Sequence, residues 1–376
     1  MKKVKTIPNP DLFVQSNNKQ GWNQPENRRH GFHNTYRLFR RGLMSRAKEI
    51  VMLEAKLDQK LEEAILFSGL CNLPSFSALV IAENGVILHQ SAAKDFDPGL
   101  PHSIQSISKM FIHLIYGQLI ATGLIDPKKI VSYYLPQVGS AYASATVQDV
   151  LDMNVTNDFS ENYDDPLADC YREEEALGWR IPSLDAQEPT LEEFVISLTG
   201  QNLENPTDFA RYKSANTDIL TVIAAQKINL FEAIEQITDA AGFEGALYCS
   251  ISSDLLPAFS GGISLSARDL ARFGLLLART KNKSNHQIYG KNTSFTVNSV
   301  RRSAPKIFGR EGQRYSNHLM TNGYWIGHAG YGGQFLMVDI EKSRSIAFLS
   351  VLENSSGYDE TYMAEVIKKL EKLLIL

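Results

Sequence analysis

Apolar residues along this chain change their spacing several times, and each change predicts an element. Residues 76–90, FSALVIAENGVILHQ, hold two β-rich runs either side of Asn84-Gly85, a strong hairpin-turn pair. Residues 102–125 behave differently. A polar lead-in, HSIQSISK, gives way at Met110 to apolar residues on nearly every face, which predicts a helix inside a large fold. The logic recurs at 209–229, where a polar cluster from Tyr212 to Asp218 precedes an apolar helix, and again in ARDLARFGLLLAR, capped by Ser266 with Asp269 at the capping-box position. Thr146 and the box Thr190-Leu-Glu-Glu193 predict two further helix starts. Residues 324–328, 334–339 and 345–352 read as strands and 359–375 as a closing helix. Residues 45–67 predict one amphipathic surface helix, 1–42 a polar, irregular arm, and 280–310 a polar excursion. Strands near both ends with helices between them predict an α+β fold: an antiparallel sheet built from both chain ends, flanked by helices, with a mostly helical second lobe. The expected division is an arm at 1–44 and one domain at 45–376, with an α/β lobe (45–125 and 260–376) and a helical lobe (126–259).

Composition narrows the function. The chain has 376 residues, 43% hydrophobic, a net charge of −4 and a pI near 6.1. No basic run suggests nucleic acid. Cys71, Cys170 and Cys249 are far apart and form no disulfide framework or Cys-x-x-Cys pair. The eight histidines are scattered, so no metal is expected, and no glycine-rich phosphate loop calls for a nucleotide cofactor. No apolar run approaches the ~20 residues that span a bilayer, and MKKVKTIPNPDLF carries no apolar secretory core. The expectation is a cytoplasmic protein with a small-molecule partner, no nucleic acid, no membrane and no cofactor; a homodimer stays open.

The chemistry starts at Ser106 and Lys109. Three apart, they share one face of a first helical turn. Unpaired N–H groups and the positive helix end favour an alkoxide there, an ammonium helps further, and a desolvated lysine could take the proton. Ser-x-x-Lys alone is weak: the chain repeats it at Ser16/Lys19, Ser45/Lys48 and Ser303/Lys306. The bland alternative is an N-cap serine with a lysine snorkelling to solvent. Only Ser106 leads into a helix that must be buried. The acidic, aromatic stretch DFSENYDDPLADCYREEEALGW (158–179) is read as a solvated loop or a cleft wall.

Ser106-Ile-Ser-Lys109, Tyr212-Lys-Ser-Ala-Asn216 and His328-Ala-Gly330-Tyr331 together resemble, in order and context, the three motifs of the serine β-lactamase and penicillin-binding-protein superfamily. SGGISLSARDLARFGLLL (260–277) is similar to a helix signature of its class C-like esterase branch. The resemblance spans roughly residues 75–352 and implies a serine hydrolase acting on small esters or linear amides through an acyl-enzyme. It further implies Ser106 as nucleophile, Lys109 as its activator, and Tyr212 as general base and acid with its phenol shifted downward by the lysine. Backbone N–H groups of Ser106 and Tyr331 would form the oxyanion hole; Tyr163, Asn216, His328 and Gly330 would contact substrate. Two departures bear on activity. His328 stands where the family often has lysine, and Ala329 replaces a threonine, which weighs against β-lactamase or D-alanyl-D-alanine carboxypeptidase work. Tyr212 lies four residues before Asn216 rather than two, so Ser214 competes for its place. A non-catalytic binder on the same fold is the remaining alternative.

Overall fold

The computed structural model describes residues 19–376 except 164, 166, 181, 183–186, 201–202 and 279–292. A 3-10 turn, Lys19–Asn23, and helix α1 (Pro25–Leu38) precede strands β1 (Gly42–Arg46) and β2 (Glu54–Ala55) and helix α2 (Gln59–Ser68). The hairpin follows as β3 (Phe76–Glu83) and β4 (Val86–Ala92), with Asn84 and Gly85 at φ of 48° and 86°, as its two-residue turn requires. Strand β5 (His102–Ser103) leads through a 3-10 turn, Gln105–Lys109, into the buried helix α3 (Met110–Ala121). The middle of the chain is mostly helical: α4 (Val131–Tyr134), α5 (Val147–Leu151), β6 (Val155–Thr156), α6 (Asp169–Ala176), α7 (Leu191–Ser197), β7 (Leu203–Glu204), α8 (Ser214–Ala225) and α9 (Leu230–Ala241). Strands β8 (Ala246–Ser250) and β9 (Ile263–Leu265), then α10 (Ala267–Ala278) and α11 (Thr293–Arg301), return the chain to the sheet. Strands β10 (Arg314–Ser316), β11 (Leu319–Thr321), β12 (Trp325–Gly330), β13 (Gln334–Asp339) and β14 (Arg344–Ser350) then lead to α12 (Glu360–Ile375).

The main sheet has the order β10-β11-β12-β13-β14-β3-β4-β2. Its centre is the antiparallel join of β14 to β3, with Ile346 opposite Ile81 and Phe348 opposite Leu79. Both ends of the chain therefore meet there, as the spread of predicted strands required. Alternation along these strands divides the core. Val80, Ala82, Leu336, Val338, Ala347 and Leu349 face the side occupied by α3, α8 and α10. Leu79, Ile81, Phe335, Met337, Ile346 and Phe348 face α2 and α12. A second sheet, β1-β8-β9-β5, braces the entrance of α3.

Two expectations need correction. Residues 45–67 are not one helix: β1 takes Ser45 opposite Leu247, and α2 begins only after Asp58, whose carboxylate accepts from Leu61 N. Helical spacing continues upstream of the cap, but pairing with β8 wins. The arm's described part is not irregular either. Helix α1 buries Phe32, Gly31, Thr35 and Arg28, whose guanidinium donates to the carbonyls of Asn23, Leu352 and Asn354. A Cβ at Gly31 would lie 2.4 Å from Trp22 O, so only glycine allows this packing. Within the mostly helical 126–259 stretch, β8 belongs to the second sheet. The Thr190 capping box and the Thr146 cap form as read, the latter completed into a box by Asp149, and Asp269 N donates to Ser266 Oγ at 3.1 Å. The excursion falls partly on 280–292, outside the described residues.

Candidate active site

Ser106 sits in the 3-10 turn just ahead of α3. Gln105 before it adopts φ 47°, a left-handed conformation that a non-glycine residue holds only under constraint. Its side-chain amide donates to Ser103 Oγ at 2.7 Å, and Ser108 Oγ accepts from Ile263 N at 3.2 Å, fixing the turn to β5 and β9. Lys109 has no exposed surface. Its ammonium donates to Ser106 Oγ (3.1 Å), Ser214 Oγ (3.1 Å) and Ser260 O (2.5 Å), one acceptor for each hydrogen. Burial would lower its pKa, but Tyr212 and Glu161 outweigh burial and the net shift is upward. Lys109 is thus an ammonium at rest, not the free base that desolvation alone predicts.

The second motif is held by Lys213. At the N-cap of α8, it donates to Asn157 Oδ1 (2.5 Å) and to the carbonyls of Val155 and Asn157, pinning the turn between Tyr212 and Ser214. The two candidates for the motif take separate places. Ser214 donates from Oγ to Glu161 Oε1 (2.6 Å) and from its backbone N to Glu161 Oε2 (2.8 Å). Tyr212 lies over the other side of Lys109, its ring centroid 5.1 Å from Nζ, with its hydroxyl hydrogen-bonding towards Ser106 and Lys109. Burial raises the Tyr212 phenol more than Lys109 draws it down, although 37% of the residue is exposed. The expected downward shift is therefore corrected: the phenol keeps its proton at neutral pH.

The third motif contributes backbone. A Cβ at Gly330 would stand 2.7 Å from Ile104 O, so the end of β12 runs directly against the chain leading to Ser106. Tyr331, the next residue, packs its ring 5.9 Å from that of Tyr163 and 6.1 Å from Phe32, with Arg28 5.6 Å from its centroid. His328 is different. It is fully buried, its Nε2 2.9 Å from Tyr315 Oη and its Nδ1 2.6 Å from Ala329 O. Burial lowers its pKa well below the usual histidine value.

These groups open on a cavity of about 570 Å³. Ser106, Tyr163, Tyr212, Ser214, Gly330 and Tyr331 line it. Trp22 and Asn23 close one side, and the charged side chains on its wall are Glu161, Glu173, Glu174, Glu360 and Arg310. Arg310 is held by Glu360 and Tyr358. Two assigned contacts lie behind the wall instead. The Asn216 amide is buried between Tyr142 Oη (2.7 Å) and Val150 O (3.2 Å), because α8 turns that face inward, and His328 is sealed by Tyr315. Neither lines the cavity. Sequence reasoning missed Glu161, Glu173, Asp218 and Arg310; the acidity of residues 158–179 was the visible signal for the first two.

Among the described residues no group of histidines, cysteines and carboxylates could hold a metal, and no helix is long and apolar enough to cross a membrane. The family model described as Beta-lactamase matches residues 66–367. A 6-aminohexanoate-dimer hydrolase from Paenarthrobacter ureafaciens is 30% identical over 249 residues, which cover 63% of this chain and 60% of that enzyme's length. A solved structure from Bacillus anthracis, provisionally named a 6-aminohexanoate-dimer hydrolase, superposes with a TM-score of 0.77 at 19% identity, covering 98% of this chain and 97% of that one. A family VIII carboxylesterase superposes with a TM-score of 0.60 at 14% identity, over 86% and 99% of the two chains.

Proposed function

The chain belongs to the beta-lactamase family, and from that premise we propose that it is a serine hydrolase cleaving small esters or linear amides through an acyl-enzyme at Ser106. The observation that carries this reading is the 3.1 Å hydrogen bond from the buried Lys109 ammonium to Ser106 Oγ at the cavity wall. Ser106 Oγ attacks the substrate carbonyl carbon. Both members of the Tyr212–Lys109 pair are protonated at rest, so as the pair takes the Ser106 proton Lys109 passes one on through Ser214 to the Glu161 carboxylate, and the same route returns it for the leaving group. The tetrahedral oxyanion lies against the backbone N–H groups of Ser106 and Tyr331, each such donor being worth about 3 kcal/mol. Tyr212 protonates the departing alkoxide or amine. Water then attacks the acyl carbon and frees the acid and Ser106.

Wall chemistry bears on substrate choice. Glu161, Glu174 and Glu360 against one arginine favour a neutral or cationic substrate over an anionic one. His328, buried and neutral, offers no charge to a β-lactam carboxylate. That supports ester or amide hydrolysis over β-lactamase or carboxypeptidase activity. The test is intact mass after incubation with a fluorophosphonate, followed by peptide mapping. One adduct on the peptide carrying Ser106, absent in Ser106→Ala, is expected. A folded protein that takes no adduct overturns the reading.

A further inference from the structure

The mechanism leaves two buried acids unused. Asp218, one turn beyond Ser214 on α8, is completely buried, and Glu173, on α6, is 3% exposed at the edge of the cavity. Neither oxygen of Asp218 meets a donor, nor does Oε1 of Glu173, as long as both are carboxylates. Yet the two side chains are hydrogen-bonding neighbours. Two carboxyl groups in contact and out of water cannot both ionise. One proton resolves both difficulties. Placed on Glu173, it makes an O–H that donates to Asp218, and the pair carries a single negative charge. Burial raises both groups, Asp218 to about 6, and the Asp218 charge pushes Glu173 further, well above the ordinary carboxyl range, while the hydrogen bond from Glu173 holds Asp218 lower.

Lys109 needs such a charge. All three of its hydrogens go to uncharged oxygens, and it has no contact with water. Tyr212, Glu161 and Glu173 act on it from the cavity wall, and Asp218 from the buried face of α8. His318 and His328 are also near and are kept neutral. Ser260 links the two groups, its carbonyl accepting from Lys109 and its hydroxyl beside Asp218. The pair's other ionisable neighbours are Glu161, Tyr142, Tyr163 and Cys170, the last three kept protonated by burial.

We propose that Glu173 and Asp218 are positioning residues for the reaction: sharing one proton, they supply the buried negative charge that holds the Lys109 ammonium against Ser106. The proposal rests on the serine-hydrolase reading. It makes the two acids unequal. In Asp218→Asn the charge is gone. In Glu173→Gln the amide still donates to Asp218, and the charge remains.

The experiment is the pH dependence of kcat and KM on a neutral ester for wild type, Asp218→Asn and Glu173→Gln, each also labelled with fluorophosphonate. For Asp218→Asn, kcat falls while KM holds, and the alkaline limb moves down by about 1–3 pH units, the usual effect of losing a nearby opposite charge. For Glu173→Gln, kcat falls less, and the acid limb moves up because an amide donates to the Asp218 carboxylate more weakly than the Glu173 carboxylic acid does. Superposable profiles for all three, or equal losses of kcat in both variants without a limb shift, overturn the proposal. If Asp218→Asn fails to fold, the acid limb of Glu173→Gln decides alone: unmoved, it overturns the proposal. Wild-type protein that takes no label on Ser106 sinks the hydrolase reading instead, so the two failures are distinct.

Discussion

The mouth of α3 and the end of β12 meet at the same cavity but serve it in opposite ways. At the helix mouth, side chains do the work: Ser106, Lys109, Ser214 and Glu161 form one continuous run of hydrogen bonds that opens on the cavity. At the strand end the polar side chain, His328, is turned away and satisfied by Tyr315 and Ala329, while Gly330 and Tyr331 present backbone. Side-chain chemistry restricts residue type, whereas backbone chemistry needs only shape. This explains how histidine can stand in the strand motif where lysine is usual without emptying the site of its chemistry.

Substitutions graded by effect sharpen that contrast. The largest loss is expected for Ser106→Ala, about 10⁴-fold or more in kcat/KM on an ester; activity near wild type would break the helix-mouth half of the comparison. Tyr212→Phe should lower kcat by about 10²–10⁴-fold, the range for a lost general acid–base group. Ser214→Ala cuts the Lys109–Glu161 run, and loss of a hydrogen bond to a charged group, about 1.5–3 kcal/mol, predicts a smaller loss of about 10- to 100-fold. Should Ser214→Ala prove worse than Tyr212→Phe, their roles are reversed. His328→Gln should leave kcat within a few-fold and register instead in thermal melting, by about 1–3 kcal/mol for the orphaned Tyr315 hydroxyl. A large loss of kcat there would mean that the strand side chain acts in catalysis after all.

The smallest effect concerns pH and stability. His113 and His318 are buried and depressed to about 4 and about 3, and His328 is also depressed by burial. Their neutral forms belong to the folded state. As pH falls below 6.5 the unfolded chain binds protons that the folded chain refuses, so stability is full above 6.5 and declines until the folded groups titrate near 3–4. Asp152, raised to about 7, Asp218, raised to about 6, and Glu173, raised well above the carboxyl range, pull the other way, but His33 and His102, depressed by burial to about 4 and about 3, add to the decline and outweigh them. Melting temperature between pH 7 and pH 4.5 should therefore fall, and replacing His318 with an uncharged isostere should flatten the decline.

The elements that were legible in the sequence have strong local signatures: the Asn84-Gly85 hairpin, the all-apolar α3, the Thr146 cap and the Thr190 box, and the three strands of the closing meander. What escaped was decided by distant partners. Ser45 pairs with β8, and the chain at 25–38 is helical because Trp22, Arg28 and Phe32 lock it to the carbonyls and glycines near residues 332 and 352. The site divides the same way. Ser106, Lys109 and Tyr212 sit in motifs and were singled out. Glu161 and Asp218 act through partners 53 residues or more away in sequence or through a shared proton, and no spacing announces that. Asn216 shows the converse, a motif residue whose helical phase turns it into the core.

The join of β14 to β3 has a further consequence during synthesis. The chain that carries Ser106 emerges from the ribosome long before the strand that carries Gly330 and Tyr331, and β3 has no β14 to pair with until residue 350 is made. Ser106 is thus translated early but joined by its facing strand late. A nascent or truncated chain lacking the last strands holds Ser106 and Lys109 without the strand end that packs against the chain before Ser106, and the cavity wall stays incomplete until β14 closes on β3.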